Sequence, residues 1–232
     1  VNYAGKELEL FRAARNWKAY CWRQAQPFLG RRVLEVGAGL GATTQSWCRH
    51  NHAEWLCLEP DEVNAAAIEK LIGNGELPAF CRARRGALAA LSPSEKFDTV
   101  LYLDVLEHIA DDRAEIVRAA RHLENGGFLV ILAPAHEWLY TPFDRAIGHH
   151  RRYTRRALAT LMPESLQLVE LRYLDSFGML ASLANRLILR AAQPTPAQLS
   201  FWDTKLVPLS RRLDWIFRFN LGKSVFGVWR KV

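Results

Sequence analysis

Two short stretches of this chain combine residue types that could do chemistry. The first is VLEVGAGLGATT, residues 33 to 44, in which Gly37, Gly39 and Gly41 follow an apolar run. Glycines at such a place let the backbone approach a ligand with no Cβ in the way. The second is TPFDRAIGHHRRYT, residues 141 to 154. There Asp144, His149, His150, Arg151, Arg152 and Tyr153 bring acid, imidazole, guanidinium and phenol within ten positions. A histidine is near neutral at working pH and can accept a proton. Paired arginines suit a carboxylate or phosphate through bidentate hydrogen bonds. On this reading Asp144, His149 and His150 are the candidate catalytic residues, and Arg151, Arg152 and Tyr153 the candidate acceptor-binding residues. The alternative is a structural loop in which Asp144 pairs with an arginine and the histidines cap a helix. Adjacent histidines do not easily share one ion, and no carboxylate cluster accompanies them, so no metal is expected.

The glycine loop satisfies two patterns. Read through Ala42 it is G-x-G-x-x-[GA], a dinucleotide fingerprint. Read from Glu35 it is E-x-G-x-G-x-G, which suggests S-adenosylmethionine. Glu59 ends the next apolar run, 22 residues after Gly37, where an acid accepts from ribose hydroxyls. Both ligands carry that ribose, so Glu59 does not decide. Other features do. None of the six tyrosines has a lysine four positions later, as a short-chain dehydrogenase needs. Little chain remains for a separate substrate domain. Glu35 lies inside a buried strand, where a carboxylate needs a partner. A dinucleotide phosphate would repel it, whereas a cationic amino end could be bridged to it.

The elements that must position these residues follow from hydrophobic period and breakers. Residues 6 to 29 show apolar residues at helical spacing. RVLEVG, EWLCLEP, AFCRAR, FDTVLYLD and FLVILAPA read as five strands. They are separated by helices in ATTQSWCRH, DEVNAAAIEKLIG and DDRAEIVRAARHLEN, the last stopped by Gly126-Gly127. LQLVELRYLD and KSVFGVWRKV are two further strands. The alternation predicts an α/β fold with a mostly parallel sheet of seven strands, helices on both faces and a C-terminal antiparallel hairpin. Ligands sit beyond the carboxyl ends of the strands in such a sheet.

With these motifs in order, the chain resembles a class I S-adenosylmethionine-dependent methyltransferase with a Rossmann-like domain. VLEVGAGLG resembles that family's first motif and CLEP its acidic second-strand end. FDTVLYLDVLEHI resembles the fourth strand and following turn, and LENGGFLVILAPA the approach to the fifth. GHHRRY at 148 to 153 resembles a GHxRRY loop found in a subset of the family. The resemblance implies that Gly37, Ala38 and Gly39 pass under the methionine part of S-adenosylmethionine, supported by Glu35 and Gly41. It implies Glu59 at the ribose, Pro60 near the adenine, and Gly86, Ala87 and Leu88 at the adenine. Many members carry an aspartate where Ala87 stands, so the adenine contacts rest on backbone here. Leu103, Asp104 and Val105 border the cofactor at the end of the fourth strand. Plainer alternatives stand beside these roles. The glycines could serve turn geometry alone, Glu59 could cap a helix, and Glu107 and His108 could organise the turn after the fourth strand. The implied layout is one methyltransferase domain over 1–232, with an N-terminal helical segment at 1–29. An active-site loop at 136–153 and a helical insertion at 178–222, between the last two strands, complete it.

Charge placement bears on the acceptor. Residues 176 to 232 hold nine basic residues and two acids, which accounts for the whole net charge of +7. A nucleic-acid surface, a membrane surface or an anionic acceptor are each consistent with that, as is a solvated basic face. From Lys205, a helical wheel groups Leu206, Leu209, Leu213, Ile216 and Phe217 opposite Lys205, Arg211, Arg212 and Arg218, so this helix is expected to pack its apolar arc on the sheet, or else to meet an acceptor or an anionic membrane. A nucleic-acid acceptor is the second reading, although no NPPY-type motif follows the fourth strand. A protein that binds the cofactor without turnover is the third. Cys21, Cys48, Cys57 and Cys81 form no C-x-x-C pair, which argues against a zinc or redox site and fits a reducing cytoplasm. A small-molecule or amphiphilic acceptor, with peripheral contact to an anionic membrane, is the expected partner; the oligomeric state is not legible.

Overall fold

The computed structural model describes residues 7–48, 51–184 and 195–232. Seven strands form one sheet: β1 Arg32–Val36, β2 Glu54–Glu59, β3 Cys81–Arg85, β4 Phe97–Leu103, β5 Leu123–Pro134, β6 Leu166–Leu174 and β7 Ser224–Lys231. Their order is β3-β2-β1-β4-β5-β7-β6. Only β7 runs against the others, pairing antiparallel with β5 and β6. This is the Rossmann-like methyltransferase fold with its terminal hairpin.

The described helices are α1 Glu7–Arg12, α2 Arg15–Ala25, α3 Ala42–Trp47, α4 Glu62–Gly73, α5 Asp112–Arg121, α6 Pro142–Ala146, α7 Arg155–Ala159, α8 Ser176–Ala184, α9 Pro196–Phe201 and α10 Val207–Leu213. Alternation along the central strands buries both sheet faces. Val33, Trp55, Cys57 and Leu101 pack with Tyr20 of α2, Trp47 of α3 and Ile68 of α4. Leu34, Leu56, Val100 and Ile131 pack with Ile116 of α5 and Leu158 of α7. Strand order reverses between β1 and β4, and the glycine loop lies at that point. No helix among the described residues is long and apolar enough to cross a membrane.

Three local expectations are corrected. The 6–29 segment is two helices, broken before Arg15. Asp203, far along the chain, caps the second: its Oδ1 accepts from the Trp17 amide at 2.9 Å and its Oδ2 from the Asn16 amide at 3.2 Å. Residues 1–6 of the 1–29 segment, and 185–194 of the 178–222 insertion, lie outside the described residues. The helix before β5 stops at Arg121, and Gly126-Gly127 belong to the strand. A Cβ on Gly127 would lie 2.8 Å from the Asp98 carbonyl oxygen, so this glycine answers a close approach of two backbones where the β4–β5 register shifts.

The third correction concerns 205–217. A π-helical turn at Trp202–Leu206 offsets the wheel. The inward residues are Trp202, Asp203, Val207, Ser210 and Asp214, while Leu209, Trp215, Ile216 and Phe217 are exposed. Of the apolar arc, Leu206 packs against the core and Leu213 is half-buried, while Leu209, Ile216 and Phe217 face outward.

Candidate functional site

A cavity of about 640 Å³ opens beyond the carboxyl ends of β1, β4 and β5. Its floor is Gly37, Ala38 and Gly39; Asp104, Glu107 and His108 form one wall, and Asp144, His149 and Arg152 another. Trp17 and Lys18 of α2 and Leu199, Trp202 and Leu206 of the insertion close it. The loop therefore lies in one wall of a site whose opposite wall comes from distant parts of the chain.

The glycine loop is built by left-handed backbone. Gly37, Gly39 and Gly41 have φ of +68°, +55° and +74°, values that side-chain-bearing residues adopt only with strain. Gly37 also has Val105 beneath it, 2.7 Å from where a Cβ would stand. At Gly39 a Cβ would meet only the Leu8 methyls, at 3.4 and 3.6 Å. Gly41 starts α3 from a left-handed N-cap.

Glu35 is buried behind the loop, where its Oε2 accepts from Thr44 Oγ1 at 2.7 Å and Trp55 Nε1 at 2.8 Å. Burial pushes its carboxyl up to about 7, against these hydrogen bonds. Glu59 is also buried. Its Oε2 accepts from the Gly39 amide at 2.8 Å and its Oε1 from the Asp61 amide at 3.0 Å. It ties β2 to the glycine loop, and Asp61 caps α4 instead. Glu59, exposed Pro60, Gly86, exposed Ala87 and buried Leu88 do not line the cavity. Leu103 and Asp104 do, whereas Val105 packs under Gly37.

Asp104 has φ of +55° and faces the cavity. Its surface is exposed to this open cavity, and the protein around it raises the carboxyl by desolvation, against the pull of His149, Lys223 and Arg152. Glu107 is fully buried, and its carboxylate oxygens have no hydrogen-bond partner beyond the residue's own amide. Burial, and then the charge of Asp104, push its carboxyl well above the usual range. Burial and His149 lower His108 to about 4.

The 136–153 segment is folded by Asp144. Its carboxylate accepts from Arg152 Nε and Nη2 at 3.0 and 2.9 Å, from the Thr141 amide and hydroxyl at 2.8 and 2.7 Å, and bonds His149 Nδ1 at 2.9 Å. Although burial opposes it, His149, Arg152 and Thr141 hold the Asp144 carboxyl well below the usual range. The bond at Nδ1 turns His149 Nε2 toward Glu107 Oε1, 3.8 Å away. Among the described residues, Glu107, His108 and His149 each offer one ligand atom within 4.8 Å of the others.

The structure brings Asp144, His149 and Arg152 together and sets three other expected residues aside. His150 is exposed and outside the cavity lining; its amide donates to the Glu107 carbonyl. Arg151 also lies outside, paired with Asp112 and the Ala110 carbonyl. Tyr153 is buried, its hydroxyl donating to Asp112 Oδ2 at 2.8 Å. Two carboxylates sort the stretch: Asp144 draws His149 and Arg152 to the cavity, and Asp112 holds Arg151 and Tyr153 away from it. Lys223 was not anticipated. Its Nζ sits 3.8 Å from the Trp202 ring centroid and 3.6 Å from Asp175 at the cavity edge. The only sequence signal was a lysine opening the last strand.

Residues 34–129 match a family model described as "Methyltransferase domain". A ubiquinone biosynthesis O-methyltransferase from Rhodopseudomonas palustris is 28% identical over 109 residues, which is 47% of this chain and 42% of that protein. The match thus spans less than half the length of that relative. Among solved structures, coclaurine N-methyltransferase bound to N-methylheliamine and S-adenosylhomocysteine superposes with a TM-score of 0.65 at 12% identity, covering 94% of this chain and 72% of that one. The cyclase SpnF superposes with a TM-score of 0.64 at 16% identity, covering 94% and 82%. These two likenesses are likenesses of fold.

Proposed function

We propose that this chain, whose residues 34–129 match a methyltransferase domain, transfers a methyl group from S-adenosylmethionine to an oxygen or nitrogen of a small-molecule or lipid-linked acceptor. One observation carries the reading: a single cavity joins the open glycine cradle at Gly39 to the Asp104–Glu107–His149 wall and to an apolar cover. Gly37, Ala38 and Gly39 would hold the methionine part, and Asp104 would face its cationic end. The cofactor supplies the activated methyl on its sulfonium. The protein's task is to align the acceptor and exclude water, and Trp202, Leu199 and Leu206 are placed for the second. The fold by itself does not decide the reaction.

Calorimetry with S-adenosylhomocysteine and NAD tests the cofactor. Binding of the first, and none of comparable strength for the second, is expected; tight NAD binding alone would overturn the reading. Once an acceptor is found, His149→Ala is expected to lower turnover by about 100-fold or more, the scale of losing one group that helps the acceptor shed its proton. Its affinity for S-adenosylhomocysteine should stay close to that of the unaltered protein. His150→Ala should leave both unchanged. Equal losses in the two variants would contradict the assignment of His149.

The surface of the insertion favours delivery of the acceptor from an anionic membrane. Trp215 and Ile216 are 65% and 54% exposed, with Arg211, Arg212 and Arg218 in the same stretch. Each basic residue near such a surface contributes about 1 kcal/mol. Flotation should show salt-sensitive binding to anionic vesicles only, weakened by Arg211→Glu with Arg212→Glu. Absence from both anionic and neutral vesicles would remove the membrane from the proposal.

A further inference from the structure

The geometry points to a binding site for one divalent transition-metal ion on Glu107, His108 and His149, open to the cavity. Three independent observations carry it. First, Glu107 is 0% exposed and its carboxylate oxygens have no hydrogen-bond partner beyond the residue's own amide. A buried carboxylate in that state needs a compensating group. Second, His149 Nε2 lies 3.8 Å from Glu107 Oε1. That is long for a hydrogen bond. It suits two ligands of one ion, since bonds of about 2.0–2.2 Å to an ion between them set their atoms some 3–4 Å apart. Third, His149 is already oriented as a ligand. Its Nδ1 is bound to Asp144, which Arg152 and Thr141 hold in turn. A carboxylate on the far ring nitrogen fixes the tautomer and leaves the other nitrogen's lone pair for a metal.

His108 completes the set, its ring edge-on to that of His149 with centroids 4.6 Å apart. The expectation of no metal considered His149 with its neighbour His150. The folded chain instead pairs His149 with a histidine 41 positions earlier and a carboxylate beside it. Two imidazoles and one carboxylate suit Zn²⁺, Mn²⁺, Co²⁺ or Fe²⁺. Three protein ligands leave coordination positions open, as in catalytic sites.

Glu107, His108 and His149 all line the cavity that holds the glycine loop. The role of the ion rests on the methyl-transfer reading. An open position facing the acceptor selects one that bears a hydroxyl, and so favours oxygen over nitrogen. The ion makes that hydroxyl more acidic, and its proton leaves to solvent. The oxygen then bonds the methyl carbon while the carbon–sulfur bond breaks, with its electron pair staying on sulfur. Asp144 acts as a positioning residue through His149.

The test begins with protein stripped by EDTA and dialysed. Mn²⁺ is titrated in and binding is followed by loss of the free-ion electron paramagnetic resonance signal, with Co²⁺ absorption and Zn²⁺ competition as second probes. One Mn²⁺ per chain is expected, displaced by Zn²⁺. Glu107→Gln and His149→Ala should each weaken it at least about tenfold, and Asp144→Asn about 10–100-fold, the range for a partner behind a ligand. His150→Ala should bind as the unaltered chain does. Circular dichroism confirms that each variant is folded, and Glu107→Gln keeps the side chain's shape. No saturable binding of Mn²⁺, Co²⁺ or Zn²⁺ overturns the proposal, as does undiminished binding in both Glu107→Gln and His149→Ala. S-adenosylhomocysteine is titrated separately into the same stripped protein. Metal binding with the expected variant pattern, but no S-adenosylhomocysteine binding, would leave the ion site standing and overturn the methyl-transfer reading.

Discussion

Gly39→Val is expected to cost the protein at least about 100-fold in affinity for S-adenosylhomocysteine while leaving it folded. Gly39 holds φ of +55°, and a β-branched residue there carries strain on the order of 1–3 kcal/mol. That strain works against the hydrogen bond from its amide to Glu59 Oε2 at 2.8 Å, which sets the height of the loop. The new methyls would also stand beside Leu8 at the cavity floor. The fold should survive, since only the flexible end of Leu8 is met and the strain is a fraction of an ordinary domain's stability of about 5–15 kcal/mol. Gly37→Ala provides the contrast. Its Cβ would come within 2.7 Å of Val105, so that variant should lose stability as well as affinity. Calorimetry paired with thermal melts separates the two. An unaltered dissociation constant in folded Gly39→Val would show that the ligand does not lie over this loop.

The second large effect is structural. Asp214→Ala should destabilise the protein by about 3–5 kcal/mol, the range for breaking a buried charged network. Asp214 is fully buried. Its carboxylate accepts from the Tyr20 hydroxyl at 2.8 Å, the Asp175 amide at 2.8 Å, the Ser176 amide at 3.1 Å and the Ser176 hydroxyl. It thereby ties α2, the end of β6 and the insertion together, and alanine would leave four donors without an acceptor. Each buried donor so stranded costs about 1–3 kcal/mol, not additively. For a chain of this size the melting temperature should fall by roughly 10 °C. Asp214→Asn, which keeps one acceptor oxygen, should lose less. A shift near zero for Asp214→Ala would mean that water replaces the carboxylate and that the insertion is held by other contacts.

The same network sets which face of the insertion turns inward. Asp203 and Asp214 turn inward to accept from the Trp17 amide and the Tyr20 hydroxyl, Ser210 turns inward to donate to Asp175 Oδ1, and Trp215, Ile216 and Phe217 are left on the outside. A helical wheel assigns inside and outside by hydrophobicity alone. Here three polar side chains with good partners outweigh that preference, because an unsatisfied buried amide or hydroxyl is costly wherever it occurs.

The amino-acid sequence by itself determined the strands β1 to β7, the left-handed turn at Gly37–Gly41 and the placement of the ligand edge. These depend on nearest-neighbour physics. Short stretches rich in apolar and β-branched residues extend, Asp61 caps the helix that follows it, and only glycine takes φ near +60° without cost. The tertiary structure alone decided which groups meet. Glu59 carries the residue type of a ribose ligand, and the fold also sets its two oxygens on the Gly39 and Asp61 amides, which ties β2 to the glycine loop. His149 and His150 are alike in sequence, yet one is fixed by Asp144 inside the cavity and the other is exposed. Glu107 and His108 read as a turn until β5 and the 136–153 segment bring His149 to them. The reason is physical. Local structure follows from period and backbone preference along a few residues, whereas a site follows from side-chain hydrogen bonds across tens of residues, which no spacing in the chain records.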